Sequence, residues 1–207
     1  MLPFLLTFLR GLVLGISIAA PVGPIGLLCI RRTLAHGRAV GLASGLGAAT
    51  ADGIYGTIGA LGVTALIAAL TGVLFWLHLG GAVFLLYLGV RTMRERPAER
   101  EAAATTVRRG LVGAWASTFA LTLSNPMTIL SFMAMFAGVG ASAQGADAAL
   151  LVVGVFAGSA LWWLTLSAVV GLLRSRFSPA SMRWVNLASG AVLIAFAATT
   201  LVTAFTA

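Results

Sequence analysis

Residues 15–56 read GISIAAPVGPIGLLCIRRTLAHGRAVGLASGLGAATADGIYG. An apolar run meets Pro21-Val22-Gly23-Pro24, resumes at Ile25, and ends in Arg31 and Arg32. A second uncharged run follows Arg38 and carries Asp52 among small residues. Proline removes a backbone donor and clashes with the preceding turn, while the flanking glycine adds freedom. Arginines at the end of an apolar run mark a membrane boundary. A carboxylate inside such a run is costly unless it faces protein or water, so Asp52 marks a substrate or proton pathway. The pattern is that of a chain threaded through a bilayer, with a broken first span and an acid in the second.

The rest of the composition agrees. The 207 residues are 60% hydrophobic and only 9% charged, with a mean hydropathy of +1.05. A soluble domain carries about 25% charged residues. The longest polar stretch runs only from Arg91 to Arg109, too short for a soluble catalytic domain. The net charge of +8 comes from arginine alone. In a soluble protein it would suggest nucleic acid. Here the arginines sit at helix ends and read as topology determinants and lipid-headgroup contacts, so the expected partner is the bilayer and not nucleic acid. Cys29 is the single cysteine. That excludes an intramolecular disulfide and a thiol relay, and leaves a small apolar filler. The first twenty residues lack a basic start, carry Arg10 mid-run and place Ile18 before Ala19-Ala20, so they read as a span and not a cleaved signal peptide.

Six spans are expected, roughly Pro3–Ile30, Ala39–Ala69, Leu74–Val90, Leu111–Gly138, Ala148–Leu173 and Trp184–Phe205. Arg31, Arg32 and Arg38 follow the first. Arg91, Arg94, Arg96, Arg100, Arg108 and Arg109 follow the third, and Arg174, Arg176 and Arg183 follow the fifth. The turn-like links at Thr71-Gly72 and Gly138–Asp147 carry only Asp147. Both termini are therefore expected outside, with the three basic loops in the cytoplasm. Arg10 stands apart, with Met1–Leu9 expected in the interface and the helix proper starting at Gly11. It reads either as a snorkelling arginine or as a contact for an anionic substrate group.

An internal repeat is visible. Arg10-Gly-Leu-Val13 opens the first half and Arg109-Gly-Leu-Val112 the second. Trp76-x-His78-Leu79 with Gly81-Ala-Val83 recurs as Trp184-x-Asn186-Leu187 with Gly190-Ala-Val192. Three spans per half is an odd number, so the halves insert in opposite senses, as in many secondary transporters. The expected fold is an all-α membrane protein of two inverted three-helix repeats, residues 1–92 and 110–207, joined by a cytoplasmic Arg-rich loop, 93–109.

Span four carries Asn125-Pro126 where span one carries its own break. Freed backbone groups at such breaks find partners in protein-lined or wet cavities. The half-helices starting near Ile25 and Met127 would each turn a positive end toward an anion such as a carboxylate. Gly41, Gly45, Gly47, Gly53 and Gly56 flank Asp52 with small residues, a surface that admits a close backbone or ligand. A carboxylate there can hold an ammonium group or exchange a proton. Asn125 offers donor and acceptor, to orient substrate or cap the broken helix. Ser17, Thr50, Ser124 and Thr128 are weaker candidates, because hydroxyls often bond within their own helix. His78 and Asn186 read as interface or helix-start residues, and Trp162 and Trp163 as lipid-facing or packing residues. No metal site or cofactor is expected from two distant histidines, one cysteine and one intramembrane carboxylate. No catalytic constellation is visible either.

Residues 15–56, together with LSNPMTILSFMAMF at 123–136, resemble the lysine exporter (LysE/RhtB) family. The likeness lies in the proline–glycine–proline break, the basic turn ending in Gly-Arg, the Gly-rich second helix with an acid, and the Asn-Pro of the fourth. It extends over essentially the whole chain. The sequence departs from many relatives in having Pro-Val-Gly-Pro for Pro-Gly-Pro, and Asn-Pro-Met where a basic residue often follows the proline. The resemblance implies export of an amino acid or similar small solute from the cytoplasm across the inner membrane, driven by the proton-motive force. Carried over, Pro21, Gly23, Pro24, Asp52, Asn125 and Pro126 would form the functional core, with Arg10, Ser17, Thr50 and Thr128 behind them. The alternatives are export of a metal or other inorganic ion, a membrane enzyme, or a scaffold. Glycine-rich faces would permit a homodimer.

Overall fold

The computed structural model describes residues 2–21, 23–60, 74–94, 107–125, 127–132, 146–176 and 178–206. Among these the chain is helical, with no strand. Helix α1 spans Leu2–Ala19 and α2 spans Pro24–His36. Helix α3 is Arg38–Ala60, α4 is Leu74–Arg94 and α5 is Val107–Leu123. Helix α6 is Ala146–Leu173, continued by a 3₁₀ turn at Arg174–Arg176, and α7 is Pro179–Thr206.

The boundaries follow from local chemistry. Helix α1 stops just before Pro21, since the residue ahead of a proline is pushed out of the α region. Pro24 starts α2, where its missing N–H is no loss. Between them the chain bends by 81°. Helix α2 ends at Gly37, whose φ of 95° lies in glycine's range and whose N–H caps the Thr33 carbonyl. Ser178 accepts the Ser181 N–H ahead of Pro179, so α7 starts five residues before the expected Trp184.

Two expectations are corrected. Residues 2–10 are helical and continuous with the rest of α1, so the helix does not begin at Gly11. Asn186 is buried, about two turns inside α7, and is not a helix-start residue. His78 lies within α4.

Small residues set the packing. A Cβ on Gly11 or Gly15 would strike the carbonyls of Leu151 or Val155, and one on Gly154 or Gly158 those of Phe8 or Leu12. Helices α1 and α6 therefore touch backbone to backbone. Gly89 and Gly190 do the same for α4 and α7, and Gly47 lies on the Trp115 carbonyl, joining α3 to α5. Such contacts give the close van der Waals packing that holds helices together in lipid. Two clusters flank α2. Ala19, Cys29, Ala48 and Trp163 join it to α1, α3 and α6, while Leu28, Leu85, Leu121 and Leu193 join it to α4, α5 and α7.

The outer faces are apolar too. Trp184 is 73% exposed, Leu172 67% and Val112 64%. A surface of this kind is covered by lipid and not by water. The stretches Asp147–Arg176 and Ala180–Val202 are each long and apolar enough to cross a membrane, and the bent pair α1–α2 adds a third if it is one span. The expected ends of spans two and four, the two turn-like links and most of the Arg-rich loop lie outside the described residues.

Candidate functional site

The two breaks face one another across a cavity of about 280 Å³. Pro21, Gly23 and Pro24 line it from the first break, Asn125 and Thr128 from the second, and Asp52 from α3. Pro126 lies outside the described residues. Three weaker candidates do not line the cavity. Arg10 is exposed on α1. Ser17 is exposed and donates to the Val13 carbonyl. Thr50 donates to the Leu46 carbonyl and accepts from the Trp115 indole at 3.3 Å.

Asp52 is 3% exposed. One of its oxygens accepts a 2.6 Å hydrogen bond from Ser159 on α6. The other has no hydrogen-bond partner among the described residues. Gly53 and Gly56, beside Asp52 in sequence, meet only ordinary contacts from Phe156 and Val155.

The breaks differ in how their backbone is satisfied. At the second, the Asn125 side-chain oxygen accepts the Met127 N–H at 3.2 Å, and its amide donates to the Thr128 hydroxyl at 3.0 Å. The carbonyl of Leu123 accepts from the Tyr55 hydroxyl on α3. Asn125 is thus occupied as a cap. At the first break the capping position is Gly23, which has no side chain to offer. The amides of the first turn of α2 therefore open on the cavity wall formed by Gly23, Pro24, Ile25 and Gly26. The start of α2 has no side-chain cap at all, and its first-turn amides suit an anion.

Beyond the cavity, α2 is clamped at its far end. Arg32 donates to Ser44 at 2.9 Å, Thr118 at 2.9 Å, Ser117 at 2.8 Å and the Ala114 carbonyl at 3.0 Å. Arg174 donates to the carbonyls of Leu34 and Ala35, the open end of the same helix. Arg32 and Arg174 are thus helix clamps as well as terms in the charge asymmetry. A second cavity, about 190 Å³, shares Arg32 with Arg31, His36 and Arg91. Among the described residues no three His, Cys, Asp or Glu side chains gather as a metal would require.

Sequence reasoning did not find Ser159, Tyr55 or Trp163 for this site. Ser159 and Tyr55 are one polar group each in apolar helices, with no spacing signal. Trp163, 3% exposed, packs its ring on Gly45 and lines the cavity, and its indole nitrogen is buried with no hydrogen-bond partner.

Known proteins resemble this chain over most of its length. A Bacillus subtilis (strain 168) protein named "Putative amino acid efflux protein YcgF" is 27% identical over 193 residues, covering 91% of this chain and 92% of that protein. An Escherichia coli (strain K12) protein named "Uncharacterized membrane protein YahN" is 27% identical over 175 residues, covering 81% of this chain and 77% of its own. No solved structure gives a significant match. The family described as LysE type translocator matches residues 16–204. That match spans both helix breaks, Asp52 and all of α2 to α6, and the chain belongs to the LysE family of membrane transporters.

Proposed function

We propose that this transporter exports an amino acid or closely related small metabolite from the cytoplasm across the inner membrane, in exchange for protons. One observation carries the reading. The only charged side chain described on the cavity wall is the carboxylate of Asp52, and it lies where two proline-broken helices meet. The substrate carboxylate is received by the uncapped amides of α2, and Asp52 takes the substrate ammonium or the counter-moving proton. The relative named for amino acid efflux supports the substrate class.

Alternating access follows from two inverted halves, 1–92 and 110–207, with the Arg-rich loop 93–109 between them. The helix pairings support this arrangement. Match the broken pair α1–α2 with α5 and its continuation, α3 with α6, and α4 with α7. The observed pairings α1 with α6 and α3 with α5 then exchange, while α3 with α6 and α4 with α7 map onto themselves. A two-fold relation between the halves would produce this exchange. The charge asymmetry orients the assembly with both termini outside.

The test is efflux from proteoliposomes preloaded with a mixture of labelled amino acids, with and without a pH gradient. The expected result is gradient-dependent loss of one or a few amino acids. Retention of all of them by folded, inserted protein would remove the amino-acid assignment.

A further inference from the structure

The central cavity and the second cavity lie one beyond the other, and the helices that run between them agree on what separates the two. On α2, Ile25 and Gly26 line the central cavity, Leu28 is fully buried in a leucine cluster, and Arg31, Arg32 and His36 line the second cavity. On α5, Thr122 lines the central cavity, Leu121 joins the same cluster, and Ala114 and Gly110 line the second. Helix α4 adds Leu85 and Leu88 to the cluster. Leu88 also faces the second cavity, with Arg91 one turn further on. Phe196 of α7 packs on the cluster and lines the central cavity. About 9 Å of α2 separates Ile25 from Arg31, so the leucines form a layer a side chain or two thick. A packed apolar layer of that kind excludes a charged solute.

We propose that the second cavity is the cytoplasmic entrance of the transport path, where a solute is drawn in by its carboxylate, and that the leucine layer is the closed gate between it and the central cavity. This rests on the exporter reading above, which loads substrate from the side where the arginines lie. The entrance and the central cavity share α2, α3 and α5 in their walls, so a solute passing the leucines moves from one to the other without meeting lipid. The two walls differ in charge. Asp52 is the charged side chain described on the central one, whereas Arg31, Arg32 and Arg91 stand on the entrance with no carboxylate among its described lining residues. The hydroxyls and the carbonyl that hold Arg32 orient its guanidinium and carry no charge of their own. A cleft with one sign of charge and apolar walls focuses the field and concentrates the opposite sign. That attraction acts over several ångströms and needs no hydrogen bond to the solute.

The experiment places a thiol just past the gate, as Thr122→Cys, and measures its reaction in inverted membrane vesicles, whose cytoplasmic face is outward. The probes are two methanethiosulfonates, one bearing a sulfonate and one a quaternary ammonium, each rate divided by that with a free thiol in solution. Native Cys29 is buried, and its silence in each background without Thr122→Cys reports an intact fold. The sulfonate reagent is expected to react about tenfold or more faster than the ammonium reagent, and Arg91→Gln or high salt to shrink that ratio several-fold. Leu88→Ala and Leu85→Ala each thin the gate, and should raise both rates several-fold while leaving the ratio as it was. An equal rate for the two reagents, or a faster ammonium, overturns the anion-selective entrance. Rates unmoved by both leucine variants in folded protein overturn the gate. A ratio that responds to Arg91→Gln only in vesicles containing anionic phospholipid gives the cavity to a lipid headgroup and overturns the entrance. None of these rates depends on which solute is exported. Retention of all amino acids in the efflux assay, beside the expected reactivities, would therefore remove the amino-acid reading and leave the path standing.

Discussion

Asp52 is held in place by Ser159 on one side and open to the cavity on the other, and the carboxylate and its serine have separable consequences. We predict that Asp52→Asn abolishes export while the protein still accumulates in the membrane, as read by efflux beside a quantitative blot. Wild-type efflux from that variant would dismiss the carboxylate as a structural group. Ser159→Ala removes a hydrogen bond to a charged group, worth roughly 1.5–3 kcal/mol. It should therefore slow export about tenfold or more without abolishing it. Asn125 belongs to the same scale. Its side-chain oxygen caps the Met127 N–H, so Asn125→Ser should retain thermal stability that Asn125→Ala loses, by about 1 kcal/mol. Equal stability of the two would mean that water takes over the cap. The acid and the asparagine were legible in the sequence because charge and amide stand out against an apolar background. Ser159 and Trp163 were not, because a serine or a tryptophan in a membrane helix has ordinary packing uses. Only the closeness of α3 and α6 gives them another.

Helix contacts at glycine make a prediction with its own control. Gly15→Leu or Gly158→Leu would drive a side chain into the backbone of the facing helix and should lower stability in detergent by about 1–3 kcal/mol or more. Gly53→Ala meets only contacts of 3.6 Å and should be tolerated. If all three behave alike in a thermal unfolding assay, the close α1–α6 approach is not what holds the bundle. The Arg32 clamp has a similar internal comparison. Its planar fork reaches four acceptors on α3 and α5, a geometry a lysine ammonium does not reproduce. Arg32→Lys should therefore lose most of what Arg32→Ala loses. Helix order and the break between α1 and α2 could be read from prolines and charges. The start of α1 at Leu2 could not, because Arg10 resembles a boundary residue yet sits on an exposed helix face. The clamp itself was hidden for a related reason. Arg32 counts equally toward charge asymmetry whether its side chain meets lipid or four protein oxygens.

Across the whole molecule, the proposed inversion of the halves makes orientation a measurable property. Single cysteines introduced at exposed positions near Met93 and near Ser178 should label from the cytoplasmic side, and one near Phe4 from the outside. The native Cys29 is fully buried and should stay silent until the protein unfolds. Labelling of the first two from opposite faces would break the six-span topology. The proposed repeat shows in the sequence only as short matched motifs; pairing of helices across the halves adds support because an inverted fold exchanges its own contacts. The 81° break supplies one further consequence, a matter of leverage. Helix α2 runs as a rod from the break at Gly23, with Arg32 about 13 Å along it. A swing of about 15° at the break carries that guanidinium about 3 Å, as far as a hydrogen bond is long. Were α2 to swing there, the motion that widens the cavity would also unfasten the Arg32 latch, so that the two ends of the rod could not move independently.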